Sequence, residues 1–190
     1  MKLDVLENNA SSLRLRIEGV SHNFVNALRR KVINGVECFA IDKVTVYENT
    51  GPMFDEYVAH RVGLVPIHMP EGYGEGDEVL FTLEGEGPIT LYSRDMKTSD
   101  KKVKVANENI PIIKLAQDQK IRLDGKAVVG TGMRGSKFQP ALATYKELDK
   151  AGNFEFYIES FGQMGPKEIL HKAIETMKEE MKAINKVLKK

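Results

Sequence analysis

Six large apolar residues near the end of the chain, Leu170, Ile174, Met177, Met181, Ile184 and Leu188, are spaced 4, 3, 4, 3 and 4. That is a heptad seam sustained over nearly three heptads, and an α-helix is what brings such a set into one line. Ile169, Ala173 and Val187 widen the stripe on one flank, and Glu175, Lys178, Glu179, Lys182 and Lys186 occupy the other side. Gly165-Pro166 starts the helix, because proline at the first helical position loses no backbone bond. No breaker interrupts it for about 23 residues. Each large apolar side chain that such a helix buries contributes ~1.5–3 kcal/mol. The stripe suits two arrangements: the helix lying on a sheet of its own chain, or one edge of it meeting another chain. A straight seam of this length exceeds what a small sheet covers, so part of it is expected to meet a partner's helices.

The opening of the chain has a matching texture. Ser12 to Glu18 alternates apolar and charged residues, the period of a strand with one buried face. Ser21 can cap a helix on which Phe24, Val25, Leu28 and Val32 recur at helical spacing, with Gly35 as its stop. Ala40 to Tyr47 alternates again, and Asn49-Thr50-Gly51-Pro52 reads as a turn or linker. A short helix over Phe54–Val62 ends at Gly63, and a glycine-rich loop covers Glu71–Gly76. From Val79 to Tyr145 only short strands are legible, with Asp124-Gly125 as a hairpin signal between two of them. Phe154, Phe156 and Ile158 then alternate as a last strand before the long helix. The expected class is α+β. Residues 1–48 and 153–190 form one discontinuous α/β domain with two long helices, interrupted by an all-β-rich insert over 49–152.

Composition removes several classes of function. The 28 Lys+Arg against 27 Asp+Glu leave a net charge of +1, which argues against a dedicated nucleic-acid or membrane-surface binder. Cys38 is the sole cysteine, so an internal disulfide, a Cys-rich zinc site and a cysteine-ligated iron–sulfur cluster are all excluded. A reducing compartment, the cytoplasm, is the expected address. No apolar run approaches the ~18 residues that span a bilayer.

Little in the chain looks catalytic. Gly130-Thr131-Gly132-Met133-Arg134-Gly135 fits G-x-G-x-x-G after a strand. A dinucleotide site needs the third glycine to open a helix whose N–H groups face the pyrophosphate, and Pro140 forbids a regular helix through this stretch. A nucleotide-binding enzyme using Gly130–Gly135 is thus the rival of a different class. Glu56 and His60 lie four apart on the short helix, with His68 the next histidine, but zinc takes three or four ligands. Neither a metal site nor a catalytic residue is expected.

Two stretches carry a resemblance. One comprises Asn26-Ala27-Leu28-Arg29-Arg30, Ala40-Ile41-Asp42, and the ungapped run Asp55-Glu56-Tyr57-Val58-Ala59-His60-Arg61-Val62-Gly63-Leu64-Val65-Pro66-Ile67. The other is Gly132 to Lys146, where Lys137-Phe138-Gln139-Pro140-Ala141 resembles a H-A-K-[WF]-Q-P loop, with Gly135 and Ser136 in place of His-Ala. Together they resemble the α-like subunits of cellular RNA polymerases, and most closely the archaeal D subunits. The similarity runs in order through the whole chain.

The resemblance implies a discontinuous dimerisation domain with an all-β insert, acting as a non-catalytic assembly subunit. It implies pairing with a small subunit L through Phe24, Val25, Leu28 and Val32 of the first helix and Leu170, Ile174, Met177, Met181, Ile184 and Leu188 of the last. It further implies a platform for the second-largest catalytic subunit and the small subunits N and P, with DNA met only through the complex. Asn26, Arg29, Arg30, His60, Arg61, Lys137, Gln139 and Pro140 are the expected contacts to the large subunit. Arg29 and Arg30 lie about 100° and 200° around the helix from Leu28, so one flanks the core and the other faces outward. Many archaeal relatives carry a ferredoxin-like domain before the last strand. Here only the cysteine-free Lys146–Asn153 fills that gap, so no iron–sulfur cluster is expected. A homodimer of bacterial α type is the second rival.

Overall fold

The structure, a computed structural model, describes residues 1–189. Its elements run β1 (Lys2–Asn8), β2 (Ser12–Glu18), α1 (His22–Asn34), β3 (Glu37–Asn49), α2 (Asp55–Gly63), β4 (Glu78–Glu86), β5 (Ile89–Tyr92), β6 (Lys97–Thr98), β7 (Pro111–Leu115), β8 (Lys120–Thr131), β9 (Ala141–Glu147), β10 (Asn153–Ser160) and α3 (Pro166–Leu188). The fold is α+β. The chain divides into two compact units, one built from residues 1–37 and the chain from Thr131 onward, the other from Cys38–Gly130.

These joins differ from the expected boundaries at 48/49 and 152/153. Strand β3 joins β8 in the second unit's sheet and takes residues 38–49 with it, while β9 joins β10 in the first unit's sheet. The Lys146–Asn153 stretch is a turn between two paired strands, closed by Leu148 N–H donating to the Asn153 carbonyl at 2.8 Å, with Gly152 at φ 81°. Polar loop composition marks surface turns, and here the turns fall inside the units.

The first unit is a sheet in the order β1-β2-β10-β9 under two helices. Alternation puts Leu13, Leu15 and Ile17 of β2 and Phe154, Phe156 and Ile158 of β10 on one buried face. They pair directly across the ladder, Leu15 with Phe156 and Ile17 with Phe154. The other face is solvated, as antiparallel sheets allow. There Arg14 meets Glu155 at 3.0 Å and lies 5.4 Å from the Tyr157 ring. Helix α1 begins where Ser21 Oγ accepts from Phe24 N–H at 3.2 Å, and packs on β9. Helix α3 packs on β10 and β2 through Pro166, Ile169 and Ala173. Strand β1 is not legible in the sequence. A bulge between Val5 and Glu7 breaks its alternation, placing Leu6 out of period.

The second unit contains a sheet in the order β3-β8-β4-β6, a two-stranded β5-β7 sheet, and α2 packed against β7. The expected hairpin at Asp124-Gly125 does not form; both residues lie inside the 12-residue strand β8. The Asp124 carboxylate instead accepts from Tyr47 Oη at 3.0 Å and Thr82 Oγ1 at 2.9 Å. Gly125 leaves room for a neighbour, since a Cβ there would lie 3.0 Å from Ile41 Cγ2. The glycine-rich loop is tied down by Tyr73, whose ring meets Phe39 edge-on at 5.5 Å and whose hydroxyl donates to Asp100 at 2.5 Å. Among the described residues no helix is long and apolar enough to cross a membrane.

The Tyr73–Asp100 bond makes the loop sensitive to pH. The Tyr73 hydroxyl, and next the Lys102 backbone N–H, hold the Asp100 carboxyl below its ordinary value. The same bond first, then desolvation, pushes Tyr73 up. The Asp100 contribution is therefore complete above the unfolded carboxylate value of about 4 and is lost as pH falls through the depressed folded value. The Tyr73 contribution is complete below about 10 and lost as pH rises through the raised value. Amide shifts of Gly72, Gly74 and Gly76 are expected to move at low pH in the wild type. In Tyr73→Phe they are expected to sit near the released position already at neutral pH. An unchanged low-pH transition in that variant would show that the loop is held by something else.

Candidate functional site

The long helix divides its apolar residues between two tasks. Pro166, Ile169 and Ala173 face the chain's own sheet, so the flank of the seam, rather than the seam, supplies the intramolecular stripe. Leu170, Ile174 and Met177 are half-buried. Beyond them the cover ends: Met181 is 60% exposed, Ile184 54%, Val187 72% and Leu188 78%. The helix is braced at mid-length by Lys31 Nζ of α1 against Glu180 at 2.6 Å. Past this brace the helix remains amphipathic, with its apolar side in solvent.

On α1 the expected partner residues separate. Val25, Leu28 and Val32 are buried within this chain and present no surface to a partner. Their helical spacing marks the stripe that packs on β9 and α3. Of that set only Phe24 is exposed.

A second surface forms where the end of α1 meets the 132–140 loop. Gly132 makes the approach possible, because a Cβ there would lie 2.5 Å from the Ile33 carbonyl oxygen and 2.9 Å from Asn34 Cα. Met133 N–H donates to the Asn34 carbonyl at 3.3 Å, and Gln139 Nε2 donates to Asn34 Oδ1 at 3.4 Å. Gly132 thus serves a helix–loop contact, and Gly135 leads into a 3₁₀ turn of three residues, Ser136–Phe138. That is not the helix N-terminus a dinucleotide needs. Ala27, Arg30, Lys31, Asn34, Gly35 and Met133 line an open pocket of about 250 Å³ here. Arg30 is exposed, whereas Arg29 is half-buried and donates through Nη2 to Asn26 Oδ1 at 3.1 Å. The two arginines divide as their helical angles predict. Lys137 Nζ lies 5.6 Å from the centre of the buried Phe138 ring. Pro140 is buried, its carbonyl accepting from Phe161 N–H at 3.0 Å, so its ring offers nothing to a large subunit.

The second unit carries a surface of its own on α2. Val58 and Val62 are buried, and His60 is exposed. The Arg61 guanidinium donates from Nε to the Ile112 carbonyl at 2.9 Å and from Nη2 to the Pro111 carbonyl. Arg61 therefore fastens α2 to β7 while the residue itself stays exposed. Sequence reasoning misses Phe54, Tyr57 and Leu64, all exposed, with the Phe54 and Tyr57 rings 6.3 Å apart. A signal exists for Tyr57, since a nine-residue helix with Val58 and Val62 for its core side has no inward use for an apolar residue off that stripe, while Phe54 and Leu64 flank the helix as its caps. Glu56, His60 and His68 do not converge, and among the described residues no group of three or more His, Cys, Asp or Glu is arranged to hold a metal.

Comparison with known proteins fits this arrangement. The family model for the RNA polymerase Rpb3/RpoA insert domain matches residues 43–147, ending after β9. DNA-directed RNA polymerase subunit Rpo3 of Methanocaldococcus jannaschii is 44% identical over 156 residues, covering 82% of this chain and 80% of that one. Rpo3 of Thermococcus kodakarensis is 39% identical, covering 79% and 61% respectively. Rpo3 of Natronomonas pharaonis is 41% identical, covering 76% and 59%. The chain thus matches about four-fifths of one relative and three-fifths of the others. With identities of this order over most of its length, and with the insert domain in place, the chain belongs to the archaeal Rpo3 family of RNA polymerase subunits.

Proposed function

We propose that the chain is a non-catalytic assembly subunit of DNA-directed RNA polymerase. In this reading it pairs with small subunit L through the far half of α3 and Phe24. The α1 end, with Arg30 and the 132–140 loop, then receives the second-largest catalytic subunit, while small subunits N and P join the same platform and DNA is met only through the complex. The observation that supports it is the uncovered apolar end of α3, where Met181, Ile184, Val187 and Leu188 make a contiguous apolar patch that this chain leaves in solvent. The reading includes no cofactor. Elemental analysis of the pure protein is expected to find no stoichiometric iron or zinc, and a stoichiometric metal would count against it.

Arg30 separates the two contacts. Its exposed guanidinium can form two parallel bonds to a carboxylate or to carbonyls, which a lysine does not reproduce. In stepwise reconstitution, Arg30→Ala is expected to keep subunit L and to bind the second-largest subunit more weakly by ~2–5 kcal/mol. Incorporation of the large subunit at the wild-type midpoint would make Arg30 an ordinary surface charge.

A further inference from the structure

Residues 19–36 and 131–146 contain no Asp or Glu, in a chain whose acids and bases nearly balance. Where the end of α1 meets the 132–140 loop, Arg29, Arg30, Lys31, Arg134 and Lys137 therefore gather without an acid from either segment. Glu180 of α3 meets this set through Lys31. Met133 lines the open pocket together with Arg30 and Lys31, and it is 77% exposed. Its side chain is bare, but its backbone is held. Arg134 N–H donates to the Thr131 carbonyl at 2.9 Å, Met133 N–H donates to the Asn34 carbonyl at 3.3 Å, and Gly132 lets the turn lie against α1. A turn already fixed loses little freedom when another surface closes over it, and a thioether adapts its shape to what covers it.

We infer, resting on the large-subunit contact proposed above, that this surface receives a carboxylate-rich segment of that subunit, which closes over Met133 as its apolar anchor. Charge complementarity sets the sign of the segment, because a cationic surface selects an anionic one and repels a basic one. A nucleic-acid strand also offers anions, but single strands are held by bases stacked on accessible rings. The ring beside these cations, Phe138, is fully buried, with Arg134 and Lys137 at 5.2 and 5.6 Å from its centre. An exposed thioether among cations suits a protein interface, apolar at its centre and charged at its rim. Two surfaces of one chain then bind by opposite physics. Salt screens the contact at Arg30 and leaves the apolar pairing through α3 in place.

The test uses the complex of this chain with subunit L and the separately purified second-largest subunit. Their affinity is expected to fall about 10-fold or more between about 0.1 and about 0.5 M potassium chloride, while subunit L stays bound. Arg30→Glu is expected to weaken binding more than about 100-fold at the lower salt and to flatten the salt dependence. Met133→Ser is expected to weaken binding about 10-fold at every salt concentration and to leave that dependence as it was. Both positions are exposed, so both variants are expected to keep the wild-type melting curve. A photo-crosslinking residue at position 133 of the assembled polymerase is expected to label a stretch of the second-largest subunit in which acids outnumber bases. A label in a neutral or basic stretch of that subunit, or an affinity that ignores salt, overturns the acidic segment and leaves the contact standing. Without a label on the large subunit the contact itself is wrong, and a label on nucleic acid names the occupant instead.

Discussion

The chain with both Met177→Glu and Met181→Glu is expected to fold and to lose its partner. Met177 is half-buried and Met181 mostly in solvent, so the isolated chain can keep both carboxylates hydrated. Pairing through this part of α3 would bury them without cations, at several kcal/mol each. A weakening of more than about 1,000-fold corresponds to a loss of roughly 4 kcal/mol or more. Co-purification of the small subunit at wild-type yield would mean that the seam serves only this chain's own packing.

Val32→Asp is expected to do the opposite: destroy the unit before any partner is involved. Val32 of α1 is fully buried where that helix packs on β9 and α3, and among the described residues no Lys or Arg is buried to pair with an aspartate there. A loss of roughly 4 kcal/mol or more is expected, a large part of the 5–15 kcal/mol that holds a domain together. Thermal melts followed by circular dichroism would show the first unit unfolded or melting far below the wild type. A well-folded Val32→Asp chain that merely fails to pair would return Val32 to the interface.

The contrast between Met181 and Val32 shows what the sequence can and cannot carry. Periodicity finds α1, α3 and the alternating strands β2 and β10, because a 3.6 or 2.0 repeat follows from backbone geometry alone. It does not say what lies over each stripe. Val25, Leu28 and Val32 repeat as an interface stripe would, yet this chain covers them. In α3 the covered side is Pro166, Ile169 and Ala173, one step around the helix from the more regular seam. Strand β1 escapes notice because its bulge disrupts the alternation. The Asp124-Gly125 pair misleads because a glycine placed for close approach looks like a glycine placed for a turn. Arg61 is legible as a motif residue, but its bonds to the Ile112 and Pro111 carbonyls depend on β7, some 50 residues on.

The two middle strands of the first unit's sheet, β2 and β10, come from opposite ends of the chain, and Arg14 reaches Glu155 across 141 positions. A ribosome adding 5–20 residues per second takes on the order of 10 s to pass from one strand to the other. For that interval Leu13, Leu15 and Ile17 have neither Phe154 nor Phe156 beside them, and α1 has no α3. Cys38–Gly130 can close its own core in the meantime. The connectivity therefore predicts an order of folding during synthesis: the inserted unit first, and the two-helix layer only when α3 has been made. A truncation before β10 leaves the opening strands with apolar faces and nothing to cover them, which makes aggregation, rather than a smaller folded protein, its expected fate.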